Sequence, residues 1–80
     1  MRVVEEIVHP ACKITIFSWN EKFLIKFEQD VLEQTYKVSE MDITGLEDVR
    51  TFTQSPFVDK ILARFDVMRK DLYETLEALY

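Results

Sequence analysis

The stretch Cys12–Val38, CKITIFSWNEKFLIKFEQDVLEQTYKV, decides the fold, because it holds runs of alternating apolar and polar residues separated by polar breaks. Cys12, Ile14 and Ile16 step by two, and Phe23, Ile25 and Phe27 do the same beyond the break SWNEK. That period belongs to strands rather than helices. The break reads as a hairpin turn. Asn20 accepts a positive φ at modest cost, whereas Glu21 in place of glycine makes a two-residue type I′ turn less than ideal and leaves a four-residue loop as the alternative. Either loop gives one register, with Ile16 opposite Ile25, Ile14 opposite Phe27 and Lys13 opposite Glu28, so apolar meets apolar and opposite charges meet. A turn at Gln29–Asp30 carries the pattern into a third strand, pairing Phe27 with Leu32, Phe23 with Tyr36 and Lys26 with Glu33.

This register sorts the side chains onto two faces. The inner one collects Ile14, Ile16, Phe23, Ile25, Phe27, Leu32 and Tyr36, with Cys12 at its edge, and reads as core. The outer one carries Lys13, Lys22, Lys26 and Lys37 against Glu28 and Glu33, and among them Phe17, Trp19 and Leu24 with nothing assigned to cover them. Upstream, the adjacent Glu5 and Glu6 break the alternation of RVVEEIVH, but its β-branched residues favour an additional strand ending before Pro10.

Beyond residue 43 the pattern turns helical. Thr44 followed by Glu47 reads as a capping box, and Ser55, Pro56 and Asp59 read as an N-cap, a first-turn proline and an acidic first turn. A short helix to about Phe52 and a long one from Pro56 nearly to the end follow. Apart from Val67, which faces the polar side, the long helix carries its large apolar residues, from Phe57 to Tyr80, within an arc of roughly 160°, wider than one packing surface requires. At about 1.5 Å per residue it also outruns an eight-residue strand. Strands followed by helices predict an α+β domain over residues 1–80: an antiparallel three- or four-stranded meander (1–43), then a short helix and a long C-terminal helix (44–80) packed on one sheet face.

Composition narrows the chemistry. Of 80 residues, 48% are hydrophobic, enough for one core. The net charge of −5 is spread evenly: residues 1–43 carry five basic and eight acidic groups, residues 44–80 five and seven. No basic arm exists, which argues against non-specific nucleic-acid binding. One glycine rules out glycine-rich phosphate loops. His9 and Cys12 have a ligand-like spacing, but with no second His or Cys a structural zinc site lacks its usual ligands, and no metal or cofactor is expected. Arg69 falls inside the apolar arc, where a guanidinium snorkelling past the core edge, or pairing with an acidic neighbour, explains it better than an anion clamp. The lone cysteine fits a reducing compartment, Glu5 and Glu6 interrupt what a secretory signal would need to be apolar, and no run is long enough to span a membrane. A cytoplasmic protein is expected.

The segments HPACKITIFSWNEKFLIKFE (His9–Glu28) and EQTYKV (Glu33–Val38) resemble a group of small, single-domain bacterial proteins of unknown function. The resemblance implies a cytoplasmic bacterial setting and assigns no site residues. Together these features predict a non-enzymatic protein-interaction or assembly module that forms a homodimer. Its candidate interface residues are Phe17, Trp19 and Leu24 on the sheet and Leu72, Tyr73, Leu76 and Tyr80 on the helix, with antiparallel pairing of two C-terminal helices favoured. The alternatives are binding of single-stranded nucleic acid or another anionic partner on the lysine and aromatic face, and a small enzyme or ligand-binding protein using a pocket near His9, Cys12 or Arg69.

Overall fold

The computed structural model describes residues Met1–Tyr80. Strands β1 (Arg2–His9), β2 (Cys12–Trp19), β3 (Lys22–Gln29) and β4 (Leu32–Ser39) form one antiparallel sheet in chain order. A 3-10 turn over Glu40–Asp42, which the sequence pattern did not signal, leads to α1 (Leu46–Thr51), and α2 (Phe57–Ala78) closes the chain. This is the expected α+β meander, with the N-terminal segment as the fourth strand. No helix is long and apolar enough to cross a membrane.

The central hairpin has the expected register, with Ile14 opposite Phe27, Ile16 opposite Ile25 and Phe17 opposite Leu24. Its loop is the two-residue alternative: Asn20 and Glu21 have φ of 53° and 62°, the left-handed pair a type I′ turn demands. The register of β3 and β4 differs from the expectation. The loop is Asp30–Val31 rather than Gln29–Asp30, so Phe27 faces Gln34, Ile25 faces Tyr36, Phe23 faces Val38 and Lys26 faces Thr35. Asp30, with φ 52°, takes the left-handed position, which an aspartate tolerates better than a glutamine does. The slip is by two residues, so each side chain keeps its face.

The Glu5–Glu6 break has a physical cause in β1. The register shifts between Val3 and Glu5, leaving two residues, Val4 and Glu5, against Ile16. Val4 packs on the core, Glu5 meets Arg50 of α1 at 3.2 Å, and Glu6, on the opposite face, approaches Lys13 at 3.9 Å.

Both helix starts differ from their sequence signatures. Gly45, not Thr44, precedes α1, and the carboxylate that reaches back is Asp48, not Glu47: Asp48 Oδ2 accepts from the Thr44 N–H at 2.8 Å and from Thr44 Oγ1 at 2.7 Å. At α2, Ser55 makes no capping bond, because the turn before the helix supplies backbone acceptors. The Val58 N–H donates to the Gln54 carbonyl at 3.1 Å and the Lys60 N–H to that of Pro56 at 3.3 Å.

The core lies between the inner sheet face and the helices. Ile14, Ile16, Ile25 and Phe27 from the sheet meet Val49 of α1 and Val58, Ile61 and Phe65 of α2. One polar group enters this layer. Gln34 is buried, its Nε2 donates to the Ile61 carbonyl at 3.0 Å, and its Oε1 accepts from Arg64 at 3.1 Å, which satisfies the amide and fixes α2 along β4. Arg64 also donates to the Tyr36 hydroxyl at 2.7 Å.

Candidate interaction surfaces

The first surface is the far end of α2. Counting by three and four, one stripe runs Val58, Ile61, Phe65, Met68, Leu72, Leu76, Leu79. Its first three residues are buried, Met68 and Leu72 are half-buried, and Leu76 and Leu79 are 37% and 69% exposed. The stripe does not change; the sheet beneath it ends. Arg69 marks the edge, bonding Gln29 Oε1 and lying 3.6 Å from both Asp30 of the β3–β4 turn and Asp66. Residues 70–80 then continue for about 16 Å beyond that turn, and the molecule measures 48 × 25 × 20 Å although its strands are only about 27 Å long. Tyr73 and Tyr80 flank this exposed end, together with Asp71, Glu74 and Glu77; Lys70 pairs only with Glu74, at 4.0 Å.

The second surface is the outer sheet face, which no helix covers. Its cross-strand rows read, from the β1–β2 turn toward the β2–β3 turn, Lys13, Glu28 and Glu33; Thr15, Lys26 and Thr35; Phe17, Leu24 and Lys37; Trp19, Lys22 and Ser39. The first two rows neutralise themselves. Glu28 and Glu33 stand directly opposite each other, and Lys26 lies 3.7 Å from one and 3.8 Å from the other. Lys13, though opposite Glu28, makes its ion pair with Glu6 of β1. In the last two rows Lys22 and Lys37 form no ion pair, and Glu21 in the adjoining turn reaches neither. The three apolar candidates here are not alike, and Val3 of β1, opposite Phe17, adds a fourth apolar side chain, itself exposed. Leu24 is buried, 6% exposed, between its cross-strand neighbours Phe17 and Lys37; Phe17 is half-buried under Lys26, whose Nζ sits 5.9 Å from the ring centroid; Trp19 is 46% exposed.

The remaining candidates are separate from both surfaces. His9 Nδ1 accepts from the Ala11 N–H at 3.0 Å, which stiffens the β1–β2 turn. Cys12 sits at the core edge, and burial pushes its thiol up from the ordinary value, so it is protonated at neutral pH. Arg69 serves acidic and amide neighbours, as its place in the arc suggested. No three His, Cys, Asp or Glu side chains cluster in a metal-holding arrangement, and no pocket opens beside these residues. The polar network of Gln34, Arg64 and Tyr36 was not anticipated; a lone amide at a core-facing strand position was its only signal. Comparison with protein-family models, with curated proteins and with solved structures finds no match.

Proposed function

We propose that this chain is a non-enzymatic assembly module that binds a second copy of itself, the C-terminal end of α2 forming one side of the contact. The observation behind this reading is the stripe that is core at Val58, Ile61 and Phe65 and continues in the same phase through half-buried Leu72 to Leu76 and Leu79, which are exposed. Exposed leucines in register with a core stripe expose apolar surface to water, and a second copy removes it. The smallest such assembly is a homodimer.

Light scattering over a micromolar to millimolar series tests the reading. The unmutated chain is expected to rise above the monomer mass, and Leu76→Glu, at a position already exposed and so compatible with folding, is expected to return it to monomer. A monomer mass for the unmutated chain throughout the series refutes self-association.

A further inference from the structure

The C-terminal end of α2 needs a surface that supplies apolar contact and positive charge. Asp71 and Glu77 border its leucines on either side, while Glu74 lies on the far face of the helix, paired with Lys70. Pairing two such ends, the two-fold arrangement favoured from the sequence, concentrates like charge at the contact. The outer sheet face has the complementary character: Lys22 and Lys37 without carboxylate partners, beside Phe17 and Trp19 over a floor made by Leu24.

The two surfaces also lie at opposite ends and in opposite layers of the molecule. The helix end leaves past the Asp30–Val31 turn on the inner side, whereas the lysine and aromatic rows adjoin the Asn20–Glu21 turn on the outer side. Resting on the self-association proposed above, we infer that the projecting end of α2 in one copy docks on the outer sheet face of the next, with its leucines over Phe17 and Trp19 and with its bordering carboxylates, Asp71 and Glu77, as the groups available to Lys22 and Lys37. The stripe already rests on the inner face of its own sheet. A second copy continued along the long axis, and rotated by a half-turn about it, places its outer face in that same layer. The α2 stripe then bridges two sheets set end to end. The lengths agree, since residues 70–80 extend about 16 Å and the rows from Trp19 to Thr15 cover about 13 Å. Such a contact joins different surfaces on the two copies, so it repeats head to tail rather than closing as a two-fold pair.

A mixing experiment by sedimentation velocity tests this docking. One variant carries Lys22→Glu and Lys37→Glu and keeps an intact helix end; the other carries Leu76→Glu and Leu79→Glu and keeps an intact sheet face. Each alone is expected to self-associate ~30-fold or more weakly than the unmutated chain. Mixed, they are expected to form a one-to-one complex that grows no further, because exactly one complementary contact survives; recovery on mixing also shows that both variants fold. Association of the lysine variant by itself at unmutated strength, with no new species on mixing, overturns the docking while leaving self-association intact. A monomeric unmutated chain removes both readings. Binding of a single-stranded oligonucleotide that the lysine substitutions abolish, and that the associated protein retains undiminished, also overturns it by giving the face another occupant.

Discussion

Phe65 and Leu76 stand on one stripe of one helix, three turns apart, and their surroundings are opposite. Phe65 is fully buried in the core that the sheet shares with Val49 of α1, while Leu76 is exposed past the end of the sheet. Helix propensity and periodicity do not distinguish the two halves of α2. The difference comes from strand length: strands of eight residues each support only the first part of a helix of 22. The docked half is a folding element, and the projecting half, with the same apolar pattern, has its leucines available to another molecule.

The largest expected effect separates the halves directly. Phe65→Ala is expected to destabilise the fold by about 3–5 kcal/mol through lost burial and a residual cavity, whereas Leu79→Ala is expected to change monomer stability by less than about 0.5 kcal/mol. Urea unfolding at low concentration measures both, and comparable losses would erase the distinction. Next is the polar attachment of the docked half. Gln34→Ala removes the bonds to the Ile61 carbonyl and Arg64 and is expected to cost about 1–2 kcal/mol by the same assay. At the boundary, Arg69→Ala loses Gln29 and two exposed carboxylates and is expected to cost about 1 kcal/mol or less, with fraying confined to the turns beyond it.

The smallest effect is one of pH. The Thr44 N–H and then the Thr44 hydroxyl hold the Asp48 carboxyl below the usual aspartate range. The folded value lies below the unfolded one, so the unfolded chain takes up the proton more readily. The stabilisation is therefore complete above about pH 4 and disappears as pH falls through the lower folded value. Thermal unfolding of the parent and Asp48→Asn should converge on acidification, since the variant lacks this component; a constant gap between them would show that Asp48 contributes no such linkage. The loss is expected at the start of α1, where Asp48 holds Thr44, and not in the projecting half of α2.

What the sequence made legible follows from what its periods can resolve. The β2–β3 register was readable because a two- or four-residue loop gives the same pairs, and the faces of β4 were readable because any even slip preserves them. The β3–β4 register was not, since alternation cannot separate two alignments that differ by two residues; the left-handed turn at Asp30 decides between them. In β1 the bulge at Val4 and Glu5 hides the period. The apolar candidates on both surfaces could be named from the pattern, including the excess on α2. Their placement could not, because which end of the sheet the helix leaves depends on contacts such as Arg69 with Gln29. For the same reason the pattern treated Leu24 as exposed, when neighbouring side chains bury it, and did not show that the unpaired lysines gather at the Trp19 end.

Amide hydrogen exchange along α2, recorded at low and high protein concentration, tests the central claim most directly. Amides of residues 70–80 are expected to exchange rapidly in dilute solution and to become protected as concentration rises, while those of residues 58–66 are protected throughout. Equally rapid exchange of residues 70–80 at every concentration, in a sample of either mass, would contradict it.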